Sequence, residues 1–508
     1  MQFETSFLID TNVLIAAEPF AGQLEELSSD VSSFLQLARR YKHRVLLHPA
    51  TLEDLGETRD AAHRAQNEAA FRKYDHVADT GMSPEVLDVF PDSPSRNDLR
   101  DARILSALHV DTVDFLVTND EKLRKRAIRL GHDPRVLRPY EAARQLETWH
   151  PQAPAPPPAV EYLPAEALDG SQAIFEGLRH DYPDFDTWLA KLRKDAPNRH
   201  CWVVRGAGGR YDGIALVKAR DEHPSQRGRY AVKLSTFKVS DQANGRRLGE
   251  LLLKTVLTWA HGEPGCPPEM FVEVKTDKER LLTFLEDFGF APHTNKGPAE
   301  AVYVKSLRPE AGVDLSGLEF NRRYGPPALR AGQPIFVVPI VPHWFRSLFP
   351  DAPDPNLHGL QALEGMVIQT PPHGNAIRKA YLCGSKTSEV PEGSTLLFYR
   401  SQGQHEVGGG AVVAIGVAER SFRTTDPRAT MRVAFKRTVF TDDDVARMHR
   451  ATPAVLTILF RHDRFPDQVW PVRELNENQV LKSWPQSITR VRNKEGIAWV
   501  EQRLNVWP

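Results

Sequence analysis

Phe7-Leu8-Ile9-Asp10-Thr11-Asn12 sets three apolar residues ahead of an acid and two small polar residues. A short apolar run that stops this abruptly reads as a buried strand whose end hands the chain to a turn. The figure returns in Phe115-Leu116-Val117-Thr118-Asn119-Asp120, whose strand is read as Val113–Val117, and a further apolar run, Val45–Leu47, lies between the two. Amphipathic stretches fill the intervals: Val31–Tyr41, Ala61–Tyr74, Asp101–Leu108 and Glu121–Leu130. Strand and helix in alternation predict an open parallel sheet, and ligands of such sheets lie beyond the carboxyl ends of the strands. Asp10 and Asp120 fall at those ends. Asp101 heads Asp101-Ala102-Arg103-Ile104-Leu105, with Asp98 three residues before it on the same helix face, and Asp54 stands in Thr51-Leu52-Glu53-Asp54-Leu55. Each acid taken alone reads equally well as an N-cap or first-turn residue. Together they are different. Carboxylates gathered at strand ends repel unless a cation sits among them, so the set predicts a divalent metal site that activates water against a phosphodiester.

The chain has 508 residues, more than one core organises, and this length predicts about three or four domains. Formal net charge is −1, so no global basic field announces a nucleic-acid partner, although Lys122 to Arg129 is locally basic. Three scattered cysteines, Cys201, Cys266 and Cys383, exclude a disulfide framework or a zinc ribbon and suit a reducing cytoplasm. There is no basic start followed by an apolar core, so no signal peptide is read, and no apolar stretch approaches the roughly 20 residues of a membrane helix. The run Pro151-Gln152-Ala153-Pro154-Ala155-Pro156-Pro157-Pro158 blocks helix and sheet and marks a spacer. A second loose region, about Pro309 to Gln333, sets the next boundary. The expected architecture is a multidomain α/β chain. A parallel-sheet domain spans 1–148 and a linker 149–160. A central α+β domain spans 161–314 and a C-terminal β-barrel 315–508.

At its acidic motifs the first segment resembles a PIN domain, the metal-dependent nuclease module common in toxin–antitoxin ribonucleases. Ile9-Asp10-Thr11-Asn12-Val13-Leu14 matches the opening motif of that family, and Asp54, Asp101 and Thr118-Asn119-Asp120 match the second, third and fourth positions. The family usually has Glu at the second position; spacing to Leu55 favours Asp54 over Glu53. The resemblance implies that Asp10, Asp54, Asp101 and Asp120 hold one or two Mg²⁺ or Mn²⁺ ions. It further implies that Thr118 and Asn12 orient ligands, that RNA is the substrate, and that the domain pairs into a homodimer.

In the central segment the strand Lys233–Val239 runs into Asn244-Gly245-Arg246-Arg247-Leu248-Gly249-Glu250-Leu251-Leu252-Leu253-Lys254, followed by the strand Met270–Lys275 and Leu285-Glu286-Asp287-Phe288-Gly289-Phe290. This order resembles the GNAT acetyltransferase fold, in which amides of a Gly-rich turn at a helix N-terminus hold the CoA pyrophosphate. The family pattern is Arg/Gln-x-x-Gly-x-Gly/Ala. Here Asn244 replaces the first residue and Arg247 the middle glycine, while Gly245 and Gly249 remain. The resemblance implies that Val239, Gly245, Arg246, Arg247 and Gly249 bind acetyl-CoA. A side chain at 247 blocks the backbone from a pyrophosphate unless its guanidinium turns away or pairs with phosphate itself. The pattern places neither a general base nor a general acid, and Tyr303, on the last strand, is a candidate for either.

The last segment reads as short strands, Ile335–Ile340, Ser394–Tyr399, Ala411–Val417, Met431–Phe435 and Val455–Phe460, with a helix beginning at Asp442. Gly384-Ser385-Lys386-Thr387-Ser388-Glu389-Val390-Pro391 resembles the Gly-x-Lys-x-x-Glu-x-Arg signature of ASCH domains, which belong to the PUA-like barrels; Pro391 stands where that family has Arg. The resemblance implies that Lys386, Thr387 and Glu389 line a cleft for RNA or a modified base. Arg432–Arg437 alternates in charge like a surface strand facing phosphate, and Tyr399, Phe440, Trp470 and Trp484 offer stacking faces.

These readings combine into a metal-dependent endonuclease, of RNA more than DNA, used as a toxin or in stress response. An acyl-CoA-binding or sensing domain and a nucleic-acid reader share its chain. The competing reading is an acetyltransferase acting on RNA or protein, in which the first domain only binds. A third is a nucleic-acid-binding scaffold without chemistry.

Overall fold

The computed structural model describes residues 5–17, 28–56, 61–150, 160–352, 372–401 and 410–508, except 244, 296, 298, 311, 386 and 388. The chain forms two compact units, Met1–Ala153 and Pro154–Pro508, which part within the proline-rich run.

The first unit is a five-stranded sheet. Its strands are β1 (Ser6–Ile9), β2 (Arg44–Leu47), β3 (Asp75–His76), β4 (Phe115–Val117) and β5 (Val136–Leu137), in the order β3-β2-β1-β4-β5. Every pairing is parallel, as the alternation of apolar runs and amphipathic stretches predicts. Phe7, Leu8 and Ile9 are fully buried, which is why this strand carries no polar alternation. From β1 the chain goes first to one side of the sheet and later to the other, so a crevice opens past the ends of β1 and β4. Ile9 pairs with Val117 there, and Asp10 N donates to Val117 O (3.1 Å), bringing the two acidic turns side by side. The helix Arg96–His109 starts five residues before the predicted Asp101, because Ser95 and Asp98 form a reciprocal capping box. The helix Pro49–Leu55, which carries Asp54, starts at a proline in its first turn, behind His48, whose Nδ1 accepts from Ala50 N (3.0 Å).

The second unit begins with a seven-stranded sheet: β6 (Val160–Leu163), β7 (Arg199–Arg205), β8 (Tyr211–Glu222), β9 (Tyr230–Val239), β10 (Glu269–Lys275), β11 (Ala291–Asn295) and β12 (Glu300–Ser306). Its order is β11-β12-β10-β9-β8-β7-β6. Only β9 and β10 run parallel, and they pair only at Val232–Met270 and Lys233–Phe271, so they part toward their carboxyl ends. The helix Leu248–Gly262 crosses this sheet, burying Leu251, Leu252, Leu253, Val256 and Leu257.

A second sheet follows in the same unit: β13 (Ile335–Ile340), β14 (Arg378–Cys383), β15 (Thr395–Arg400), β16 (Ala411–Thr424), β17 (Val455–Arg464), β18 (Trp470–Pro471) and β19 (Thr489–Arg490). Its order is β14-β17-β16-β15-β13-β19, with β18 on β16. The expectation of a closed barrel is not met among the described residues: β14 and β19 end the path and do not pair with one another. Tyr381 Oη nevertheless donates to Pro339 O (2.6 Å), which ties the curl of β14 toward β13. Tyr399 and Trp470, offered by sequence as stacking faces, are core residues at 1% and 2% exposure. Met431–Phe435 is not a strand. Asp426 accepts from Arg428 N and Pro427 takes the first turn, which starts the helix Pro427–Ala434. The expected phosphate-facing strand Arg432–Arg437 is thereby replaced by the end of a helix and a turn, and Arg437 is buried. Among the described residues no helix is long and apolar enough to cross a membrane.

Candidate functional site

Asp10 is 6% exposed, and its carboxylate accepts from Thr118 Oγ1 (2.6 Å), Asn12 Nδ2 (2.6 Å) and Thr11 N (2.7 Å). Thr118 and Asn12 therefore hold the Asp10 carboxylate itself. Asp120 caps the helix Glu121–Arg129 through Lys122 N (2.6 Å) and Leu123 N (3.0 Å). Asp101 receives Arg126 Nη1 (3.2 Å), whose other nitrogen reaches Asp98 (2.6 Å). Asp54 receives Arg100 Nη1 (3.0 Å), while its neighbour Glu53 pairs with Arg103 (2.7 Å).

The acids sense one another. Burial raises the Asp10 carboxyl, and Asp120 and Asp54 add to that rise against the bonds from Thr118 and Thr11. Burial, then Asp10 and Asp120, push Asp101 up to about 7 against the pull of Arg126. The crevice thus collects carboxylates from four places in the chain, but two of them are neutralised by arginine and one serves as a cap. Among the described residues no group of three or more His, Cys, Asp or Glu side chains is arranged to hold a metal ion. As they stand, the four acids do not fit one. Arg100 and Arg126 are the residues that sequence reasoning missed; their acids lie 46 and 25 residues away, so no local spacing announces the pairs, and Arg126 reads only as part of a locally basic run.

In the second unit the turn after β9 is left-handed at two positions. Gly245 has φ +83° and Arg247, in place of glycine, takes φ +55°. The left-handed conformation costs a non-glycine residue about 1–2 kcal/mol. The Arg247 guanidinium pairs with Glu250, three residues on, and Arg246 Nη1 pairs with Asp212 (3.1 Å). The helix Leu248–Gly262 starts with no side-chain cap. A Cβ on Gly249 would meet Phe284 and Phe237 at ordinary contact distance, so this glycine leaves the helix start close against both rings. Uncapped amides, a left-handed turn and parted strands fit a diphosphate group. Val239 ends β9 just ahead of the turn. Tyr303 Oη donates to Glu286 Oε1 (3.1 Å), and burial raises its phenol.

The turn also meets the C-terminal segment. Asn375 Nδ2 donates to Arg246 O (2.8 Å), and Glu250 accepts from Ile377 N (2.7 Å) and Arg378 N (3.1 Å). Arg378 pairs with Glu419 (2.9 Å) and Asp287 (3.4 Å), Arg461 pairs with Glu419 (3.1 Å), and Lys254 pairs with Asp351. Arg378 and Arg461 hold Glu419 down at about 2 against its burial. No motif announced this junction. Its signal was Arg378-Lys379 and Arg461-His462-Asp463 abutting apolar runs, where charge inside a central strand demands a partner.

Of the ASCH-like residues, Lys386 lies outside the described residues. Thr387 donates to Ile488 O (3.1 Å) and its own carbonyl accepts from Arg423 (2.6 Å), so its hydroxyl is committed to the fold; Glu389 is exposed.

Residues 166–290 match the Acetyltransferase (GNAT) family. No curated protein matches the chain. Among solved structures, an acetyltransferase from Thermus thermophilus is 18% identical over 29% of this chain and 97% of that one, with a TM-score of 0.21. IAA acetyltransferase from Bacillus cereus is 14% identical over 30% of this chain and 100% of its own, with a TM-score of 0.23. ASCH from Zymomonas mobilis is 12% identical over 33% of this chain and 94% of its own, also with a TM-score of 0.23. The acetyltransferase expectation for the central segment thus has a family match, and nothing among these comparisons points to a PIN domain.

Proposed function

We propose that the central segment binds an acyl-CoA and transfers its acyl group to RNA or protein. The observation that carries this reading is the GNAT match over residues 166–290, which contains the parted strands β9 and β10 and the turn Gly245–Gly249. Acyl-CoA, when bound, supplies an acyl group activated as a thioester. Gly245, Arg246, Arg247 and Gly249 hold its diphosphate, with Val239 at the strand end beside it. The C-terminal segment, with Lys386 and Glu389, recruits the acceptor. Calorimetric titration of the full chain with acetyl-CoA is expected to give saturable heat. Gly245→Val, which forces a branched residue into a left-handed turn, should weaken binding at least tenfold, about 1.4 kcal/mol, without a matching loss of the folded state. No heat at high ligand concentration overturns the reading.

A second reading is favoured by one observation: beyond burial, Asp120 raises the affinity of Asp10 for protons, and Asp10 and Asp120 raise that of Asp101, which is how a crevice waiting for a cation behaves. In it the first unit is a divalent-metal-dependent endoribonuclease, and Arg100 and Arg126 must release Asp54 and Asp101 before a cation enters. Asp10→Asn should then remove Mn²⁺-dependent RNA cleavage by the full chain while leaving its unfolding midpoint in place. Cleavage that survives the substitution eliminates this reading.

A further inference from the structure

Arg247 stands where the glycine pattern has glycine, and its φ of +55° needs something to hold it there. The hold comes from outside the matched residues 166–290. Asn375, buried at 3% exposure, donates from Nδ2 to Arg246 O (2.8 Å). Arg246 O and Arg247 N–H belong to one planar trans peptide, so fixing the carbonyl fixes the plane whose rotation defines φ at Arg247. The N–H of Arg247 is thereby turned away from Asn375. A second tie acts on the side chain. Glu250 pairs with Arg247 through one oxygen, and its other oxygen accepts from Ile377 N (2.7 Å) and Arg378 N (3.1 Å).

Both ties are anchored in the C-terminal segment. Lys379 Nζ donates to Gly374 O (2.9 Å), which fastens the residue just before Asn375. Ile377 is fully buried and belongs to the same apolar core as Leu251, Leu252 and Leu257 of the helix Leu248–Gly262. Arg378 reaches Asp287 of the central segment and Glu419 of the C-terminal sheet. We propose that Asn375 is a positioning residue for the acyl-CoA turn: it holds the peptide between Arg246 and Arg247 in its left-handed course, so that acyl-CoA binds only while the C-terminal segment is docked. This rests on the acyl-CoA reading above and adds a regulation to it. Glycine at 247 takes a positive φ without steric penalty, so the dependence on Asn375 exists only because arginine stands there. Whatever loosens the C-terminal segment lowers acyl-CoA affinity, and bound acyl-CoA tightens that segment by the same factor.

The test is calorimetric titration of the full chain with acetyl-CoA, in the parent, in Asn375→Ala, in Arg247→Gly and in the two substitutions together. Asn375→Ala is expected to raise Kd about tenfold or more with arginine at 247, and less than about threefold with glycine there. A rise below about threefold in the parent background overturns the proposal. So does an equal loss in both backgrounds, because Asn375 then supports the fold at large and not the turn. A parent that binds no acetyl-CoA ends the acyl-CoA reading, and the positioning role is then decided without ligand. Leu251 N donates to Arg247 O (3.3 Å), so its amide exchange reports the turn. Asn375→Ala should speed that exchange, and adding Arg247→Gly should bring it back. Exchange that Asn375→Ala leaves unchanged, or that Arg247→Gly does not restore, overturns the positioning role. The same measurement decides the matter should Arg247→Gly bind too weakly to titrate.

Discussion

Gly289→Ala should destabilise the second unit by about 4 kcal/mol, the sum of a left-handed penalty, overpacking against backbone and a weakened charge-assisted bond. Gly289 has φ +79°, and a Cβ built there would lie 1.9 Å from Arg322 O and 2.8 Å from Arg322 C. Backbone cannot swing aside as a long side chain can. The carbonyl it strikes is also one of three that surround Lys305. That lysine is 0% exposed, and its Nζ donates to Phe288 O (2.8 Å), Arg322 O (3.0 Å) and Arg323 O (3.0 Å). Burial drives its amine well below the ordinary lysine range, so the ammonium depends on those carbonyls to stay charged. Moving Arg322 O removes one of them and presses on the end of the helix Gly317–Tyr324, which joins β12 to the C-terminal sheet. Urea unfolding of the full chain measures the effect. A loss below about 1 kcal/mol, the size of an ordinary glycine-to-alanine entropy change, means that the contact is not formed as described.

The same glycine marks how far the sequence could be read. Phe288-Gly289-Phe290 was legible as the end of a helix turning into a strand, since glycine past a helix takes the left-handed cap. That its Cα faces a carbonyl from the next segment was not, because nothing local encodes a neighbour across a junction. Strands β1, β2 and β4 were legible because they are buried on both faces and carry unbroken apolar runs. Strands β3 and β5 were not; Asp75-His76 and Val136-Leu137 are two residues long and have no period to detect. The stretch Arg432–Arg437 alternates like a strand, but Asp426-Pro427 upstream had already specified a helix start, and that local signal won. For the acidic crevice, position was legible and pairing was not. The apolar runs placed Asp10 and Asp120 at strand ends, yet the arginines that occupy Asp54 and Asp101 arrive from helix faces whose rotation no motif records. The turn at Gly245–Gly249 was legible as a Gly-rich strand-to-helix turn, but its left-handed geometry at Arg247 was not, and the direction taken by the Arg247 side chain depends on Glu250 and, through it, on Ile377 and Arg378 more than a hundred residues away.

The crevice past β1 and β4 is expected to lose stability as pH rises from about 4 to about 7, on the order of 4 kcal/mol, the reverse of a salt-bridged aspartate. Asp101 titrates at about 7 in the folded chain, raised by burial and by Asp10 and Asp120, whereas an unfolded aspartate titrates near 3.9. Between those values the folded chain keeps a proton that the unfolded chain has released. Stability is therefore full below the lower value and declines until the upper one is passed. The Asp10 carboxyl, also raised by burial, steepens the decline. Arg126 limits it, since the guanidinium favours the ionised form of Asp101, and that pull is already contained in the value of about 7. Asp101→Asn removes the titrating group without changing its size, so it should flatten the slope and leave the variant more stable than the parent at neutral pH. Amide hydrogen exchange in Phe115–Val117 of the full chain, corrected for the intrinsic rate, reports the crevice directly. A parent profile that is flat, or one that Asp101→Asn does not alter, would mean that the carboxylates do not share a field. If Mn²⁺ at neutral pH restores the protection that the parent loses, without doing so in Asp101→Asn, the repulsion measured here is the same one that a divalent cation relieves.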